Sequence, residues 1–241
     1  MCGRYTLTAP GEIVAEIFEL VDVPPILPRY NLAPTQEAAV VRVVARGAPR
    51  SLAPLRWGLV PYWATDPTIG NRMINARAES VAEKPAFRDS FRRWRCLVPA
   101  DGFYEWQKLA PKVRQPYLLR RQDRLPFAFA GLWSSWRGPE AGRLETFTII
   151  TTSPNGLLRP LHDRMPVILE RRDFAAWLDP ANRDTARLQS LLVPAPDAGW
   201  EAVPVSRAVN SPDHDEPDCI EPLLAPPAPS GPSGPAPIDS L

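Results

Sequence analysis

The chain has 241 residues and is poor in several residue types, and each shortage excludes a class of protein. It has three cysteines, Cys2, Cys96 and Cys219, too few and too scattered for a disulfide scaffold. It has two histidines, His162 and His214, and neither a CxxC nor an HExxH pattern, so no metal site is expected. No GxxxxGK(S/T) or GxGxxG loop is present to cradle a nucleotide phosphate. No apolar run approaches the about 20 residues of a membrane span. The opening MCGRYTLTAP lacks the apolar stretch of a secretory signal. Together these absences predict a cytoplasmic protein without membrane, metal or nucleotide cofactor.

What is present is ordinary in bulk and uneven in detail. Hydrophobic residues make up 44% and charged residues 23%, as in soluble globular domains. Prolines number 31, and 25 of the 28 basic residues are arginine, the lysines being Lys84, Lys108 and Lys112. The formal net charge of +1 conceals an asymmetry. Residues 211–241 carry six acidic residues and no lysine or arginine, so residues 1–210 hold a net +7. That excess is either a solvated surface or a basic face for an anionic polymer. From Ala225 the text APPAPSGPSGPAPIDSL has almost nothing to bury and reads as a disordered tail, 225–241, following one domain over 1–224.

Periodicity gives a coarse outline. Apolar residues at Ile13, Ile17, Phe18 and Val21 predict a helix over 10–21 with Thr8 as its N-cap. Strands are predicted at Ala38–Val44, Leu52–Val60, Arg95–Pro99, Tyr117–Arg121, Phe127–Trp133, Glu145–Thr152, Pro166–Leu169 and, more weakly, Ala202–Val205. Short helices are predicted at Pro85–Arg93, Phe174–Leu178 and Asp184–Leu192. Strands dominate the middle and helices are scattered, which indicates the α+β class.

Cys2 carries the most chemical information. Methionine before a small residue is commonly removed, and removal here would place a free α-amine beside a thiol. An α-amine has a pKa of about 8 against about 10.4 for lysine, so a usable fraction is neutral at pH 7. A neutral amine can form a Schiff base with an aldehyde, and the adjacent thiol can then close a thiazolidine ring on the imine carbon. Three later segments set polar groups in apolar text. In Met73–Glu79, Asn75 is either a turn residue or a hydrogen-bonding group that positions a nucleophile. In Cys96–Trp106, Glu105 sits between two aromatics. It is either a solvent-facing strand residue or a carboxyl whose pKa an apolar surround would raise toward acid–base duty. In Leu161–Pro166, His162 is either structural or catalytic. Tryptophans 57, 63, 94, 106, 133 and 136 interleave with arginines, a composition that serves core packing or a stacking groove for single-stranded nucleic acid.

These segments occur in a fixed order: Met1-Cys2-Gly3-Arg4-Tyr5, Tyr30–Thr35, Trp57–Trp63, Asn75–Glu79, Arg95–Trp106, Phe147–Thr152 and Leu161–Pro166. The ordered set, across about residues 2–220, resembles the SRAP (SOS response-associated peptidase) family of abasic-site processing proteins. The resemblance implies a compact domain with a mainly antiparallel, partly barrel-like sheet and peripheral helices. It implies that Met1 is lost by self-processing or an aminopeptidase. Cys2 would then form a covalent thiazolidine with the aldehyde of a ring-opened abasic sugar in single-stranded DNA. By the same resemblance Asn75 positions the nucleophile, Glu105 is the acid–base carboxylate, and His162 assists ring opening and adduct resolution. Arg4, Arg77 and Arg164 would contact phosphates, and Trp57 and Trp106 would face DNA. The expected partner is single-stranded DNA with abasic sites, bound by a monomer that is nucleoid-associated when on DNA. A lyase side reaction would follow from the shared imine. Two alternatives use the same residues: an N-terminal-nucleophile cysteine peptidase or amidase, and a non-covalent reader of damaged or modified DNA.

Overall fold

A computed structural model describes residues 2–138 and 142–223. The tail expected at 225–241 lies outside the described residues. In chain order the elements are β1 (Tyr5–Leu7), α1 (Gly11–Phe18), β2 (Arg29–Leu32), β3 (Glu37–Arg42), β4 (Ser51–Trp57), β5 (Asn75–Arg77), α2 (Arg88–Arg93), β6 (Arg95–Ala100), β7 (Gly102–Ala110), β8 (Val113–Arg121), β9 (Phe127–Gly138), β10 (Gly142–Thr152), β11 (Met165–Pro166), β12 (Ile168–Leu169), α3 (Phe174–Leu178), α4 (Thr185–Ser190) and β13 (Trp200–Pro204).

The strands form two sheets. One is antiparallel, in the order β13-β8-β7-β1-β2. In the other, β10, β4, β3, β6 and β9 follow one another, and β9 pairs back onto β10, so five strands close a ring. Only the contacts of β10 with β4 and β5 are parallel within that sheet. The class is α+β, mainly antiparallel and partly barrel-like, with short helices on the outside. Tyr5 of β1 joins the two sheets: its ring meets Trp57 at 5.3 Å and Phe129 at 5.7 Å, both edge-on.

The chain switches sheets between β6 and β7, at Asp101-Gly102. A Cβ on Gly102 would lie 2.7 Å from Leu118 Cδ1 and 2.9 Å from Thr6 Oγ1, so only glycine lets the strands approach. Asp101 accepts from the Thr6 hydroxyl, the Thr8 hydroxyl (2.8 Å), and the backbone N–H groups of Thr8 and Ala9 (2.9 Å for Ala9). Thr8 therefore binds Asp101 and does not cap α1, whose N-cap is Pro10. That helix ends at Phe18, with Glu19 left-handed (φ 55°), so Val21 is 74% exposed and not on a buried stripe. Strand β4 stops at Trp57, short of Val60, because Gly58 turns at φ +129° against the Gly70 carbonyl. Arg95 is buried and donates to the carbonyls of Phe91, Trp177 and Asp179, tying α2 and α3 to the barrel.

The acidic segment docks on the domain. Asp215 accepts from the Arg29 guanidinium and from the N–H groups of Tyr30 and Asn31. Val205 and Pro222 form an isolated bridge.

Asp101→Ala leaves the N-terminal donors without their acceptor. The expected loss is about 3 kcal/mol in urea unfolding; an unchanged midpoint would contradict this role.

Candidate functional site

Register brings the site together. β1 runs antiparallel to β7, with Tyr5 opposite Phe103 and the Tyr104 N–H donating to the Arg4 carbonyl (3.0 Å). Continued toward the N-terminus, this register sets Gly3 opposite Glu105, with Cys2 one residue beyond, and the Glu105 charge acts on the Cys2 thiol. β5 lies along β10, and Asn75 Nδ2 donates to the Cys2 carbonyl at 2.9 Å. His162 lies in the loop between β10 and β11, its N–H donating to Leu158 O.

The electrostatics of the cluster follow from burial. Cys2 is fully buried, and burial together with the Glu105 charge pushes its thiol well above the usual range. Glu105 is 2% exposed. Burial raises its carboxyl from its usual 4.5 to about 7, against the pull of the positive amino terminus. Burial and the same amino terminus lower His162, while Asp163 opposes them. The Arg164 N–H lies 3.0 Å from His162 Nδ1 and donates to it when that nitrogen carries no proton. Asp163 Oδ1 is 2.9 Å from the same Nδ1 and becomes its partner when the ring is protonated. Asn75 Oδ1 is buried and has no hydrogen-bond partner among the described residues, so it is an acceptor held in reserve beside Cys2.

The arginines differ in how far they are committed. Arg77 is exposed. Arg4 donates to Asn31 Oδ1 (2.9 Å), Val209 O (2.7 Å) and Asn210 O (3.2 Å). Arg164 forms a bidentate pair with Glu79 (2.6 and 2.9 Å) and also donates to Thr151 O. That pairing holds Glu79 below the usual carboxylate range. Both Arg4 and Arg164 thus hold the scaffold of the site, whatever else their remaining N–H groups reach.

The tryptophans separate cleanly. Trp106 is half-buried, its Nε1 donating to Asn210 Oδ1 at 2.7 Å, and it lines a cavity of about 410 Å³ with Lys112, Arg114, Arg207 and Asn210. Trp57 corrects the expectation of a DNA-facing residue. It is fully buried, stacks on Phe147 at 6.1 Å and donates to the Ile74 carbonyl. Period-2 alternation along β4 turns Trp57 inward with Leu55. The exposed aromatics of that motif are Tyr62 (52%) and Trp63 (48%), in the loop after β4. Their signal in the sequence was position, beyond Gly58 and Pro61 where a strand has ended. Arg114, whose positive charge also lowers His162, was not anticipated. It comes near through β7–β8 pairing, opposite Lys108.

Glu105 ionises near pH 4.5 in the unfolded chain and near 7 when folded, so it weakens the fold as pH rises between those values. Relative to Glu105→Gln, the wild type should lose about 3 kcal/mol of unfolding free energy between pH 4.5 and pH 8. Parallel stability–pH curves for the two proteins would contradict the buried placement.

Comparison with known proteins gives the family. Residues 1–212 match the family described as SOS response associated peptidase (SRAP). The abasic site processing protein YoqW of Bacillus subtilis (strain 168) is 46% identical over 224 residues, covering 92% of this chain and 99% of that protein. The abasic site processing protein HMCES of Xenopus tropicalis is 30% identical over 226 residues, covering 82% of this chain and 67% of that protein. A crystal structure from Bacteroides thetaiotaomicron superposes with a TM-score of 0.81 at 26% identity, over 92% of this chain and all of that one. A phage-related protein from Bordetella bronchiseptica superposes with a TM-score of 0.69 at 30% identity, over 86% and 95% of the two chains. The chain belongs to the SOS response associated peptidase family.

Proposed function

We propose that this chain processes abasic sites in single-stranded DNA by covalent capture at Cys2 after removal of Met1. What supports the reading is a chain of links among four residues far apart in sequence: Asn75 holds the Cys2 carbonyl, the Glu105 charge acts on the Cys2 thiol, and the amino terminus acts on both Glu105 and His162. The names of the relatives point to the same lesion.

The chemistry follows from the protonation states. The abasic sugar is mostly a closed hemiacetal. Opening it needs a proton delivered to the ring oxygen and one taken from the C1′ hydroxyl: protonated His162, with Asp163 beside Nδ1, gives the first, and its neutral ring takes the second, so the histidine ends as it began. The Cys2 α-amine then adds to the C1′ aldehyde, and loss of water from the carbinolamine gives an imine. Glu105, poised near pH 7, gives the proton that carries that water away. It then takes the thiol proton as Cys2 Sγ adds to the imine carbon and closes the thiazolidine. The net change is aldehyde plus aminothiol to thiazolidine plus one water. Asn75 anchors the Cys2 carbonyl and offers Oδ1 to the amine. A thiol held protonated by burial favours this order, amine first, over an N-terminal-nucleophile peptidase that starts from thiolate.

The strand itself would be held by charge and stacking. Arg77 and the cations around Trp106 suit phosphates, while Trp106 and Trp63 offer faces to bases. An abasic nucleotide brings no base to unstack, so admitting it costs less than extruding an intact one. We assign the protein a monomeric role on the nucleoid.

Incubation with abasic single-stranded DNA should give a heat-stable adduct on a denaturing gel, abolished by Cys2→Ala. Glu105→Gln should slow its formation by about 10²–10⁴-fold. Cys2→Ser keeps the amine but not the ring-closing thiol, so it should raise strand nicking relative to adduct. No adduct from protein whose Met1 is gone would overturn the proposal, and nicking unchanged in Cys2→Ser would exclude the shared imine.

A further inference from the structure

A second group of ionisable side chains lies in the docked acidic segment and is not used by the chemistry above. One ligand atom from each of His214, Asp218 and Cys219 falls within 4.8 Å of the others. His214 Nε2 is 2.7 Å from Asp218 Oδ1, and Cys219 Sγ is 3.5 Å from the His214 carbonyl oxygen. The thiol is buried, whereas the His214 and Asp218 side chains are 35% and 48% exposed and lie over it, so a small ion from solvent has a way in.

The backbone beneath these groups is held independently of any ion. The Cys219 N–H donates to Glu216 O at 3.0 Å, closing a 3-10 turn over Pro217–Ile220. The Cys219 carbonyl oxygen is 3.3 Å from Tyr104 Oη. The His214 carbonyl accepts from Asn31 Nδ2 at 2.7 Å. We propose that His214, Asp218 and Cys219 bind one zinc ion, with water completing a tetrahedral site.

The donor set selects the ion. One imidazole nitrogen, one carboxylate oxygen and one thiolate suit a borderline cation such as zinc and do not suit calcium or magnesium. Zn–N and Zn–O bonds of about 2.0 Å and a Zn–S bond of about 2.3 Å require the three atoms to draw together. The two half-exposed side chains can do so by rotation, opening their mutual hydrogen bond while the buried sulfur stays in place. Binding replaces the thiol proton with the metal and releases that proton to solvent. The sequence expectation of no metal rested on the absence of CxxC and HExxH. A His-x3-Asp-Cys run contains neither, and only the 3-10 turn folds its three donors onto one spot.

The ion would be structural. The segment that carries it also supplies Val209 O and Asn210 O to Arg4, Asn210 Oδ1 to Trp106, and Ser211 O to Asn31. Fastening this strap would stiffen the wall behind the candidate site without touching it. The proposal does not depend on the reaction assigned above, and its test reads no activity.

The test uses the full chain, stripped with chelator and kept reduced. Zinc titration should saturate at one equivalent, and zinc at a hundredfold above its dissociation constant should raise Tm by about 5 °C or more. Cobalt(II) should give a thiolate-to-metal charge-transfer band. That band should vanish in Cys219→Ala, weaken at least tenfold in apparent affinity in His214→Gln, and persist in Cys2→Ala. If Cys219→Ala does not fold, His214→Gln, which leaves the buried thiol in place, decides the matter. No zinc-dependent Tm shift in the wild type would overturn the proposal. So would a cobalt band lost in Cys2→Ala but kept in Cys219→Ala, or an affinity unaltered in His214→Gln.

Discussion

Chain ends fray unless something ties them down, and here residues 2–9 are tied on every side. β1 is paired with β2 on one edge and β7 on the other. Asp101 gathers donors from Thr6, Thr8 and Ala9 behind it, and Asn75 holds the Cys2 carbonyl ahead of it. Tyr5 is wedged between Trp57 and Phe129. The capture proposed for Cys2 requires a residue at position two as immobile as one in the core. The folding of both sheets around β1 produces that immobility, with Gly102 leaving the room for it.

The same burial sets the chemistry. An apolar surround disfavours charge on every group it encloses, so the Cys2 thiol stays protonated, Glu105 is brought to about 7, and His162 is lowered. Of these shifts, only that of Glu105 moves a group toward neutral pH, where it exchanges a proton readily and weakens the fold as pH rises. The docked C-terminal segment belongs to the same construction. Its carbonyls occupy Arg4 and Asn31, and its Asp215 clamps β2, so acidic residues that look like a solvated end in the sequence serve as backing for the site.

Most of the barrel was legible because its strands are β-branched or aromatic and bury long runs. Strands β3, β6, β9 and β10 fall where periodicity put them, and α3 matches over Phe174–Leu178. Strands β1, β2, β5 and β7 were not legible. They are short or polar, and they exist because of pairing with distant strands: Asn75–Arg77 is a strand only against Ile149–Thr151. The Asp101-Gly102 pair reads as a turn and is a switch between sheets. Of the four residues proposed for chemistry, Cys2 was visible by its position and Asn75, Glu105 and His162 as polar breaks in apolar text, and the resemblance supplied their roles. Exposure was not visible, which is why the sequence did not separate the buried Trp57 from the exposed Trp63.

The central claim is that the amine and the thiol of one residue, Cys2, hold the lesion together. Peptide mass spectrometry of the purified adduct after nuclease digestion tests it most directly, with and without borohydride treatment. A closed thiazolidine predicts a single modified peptide beginning at Cys2, with a mass unchanged by borohydride. A modified internal residue, or an adduct on Cys2 that borohydride reduces in full, would contradict it.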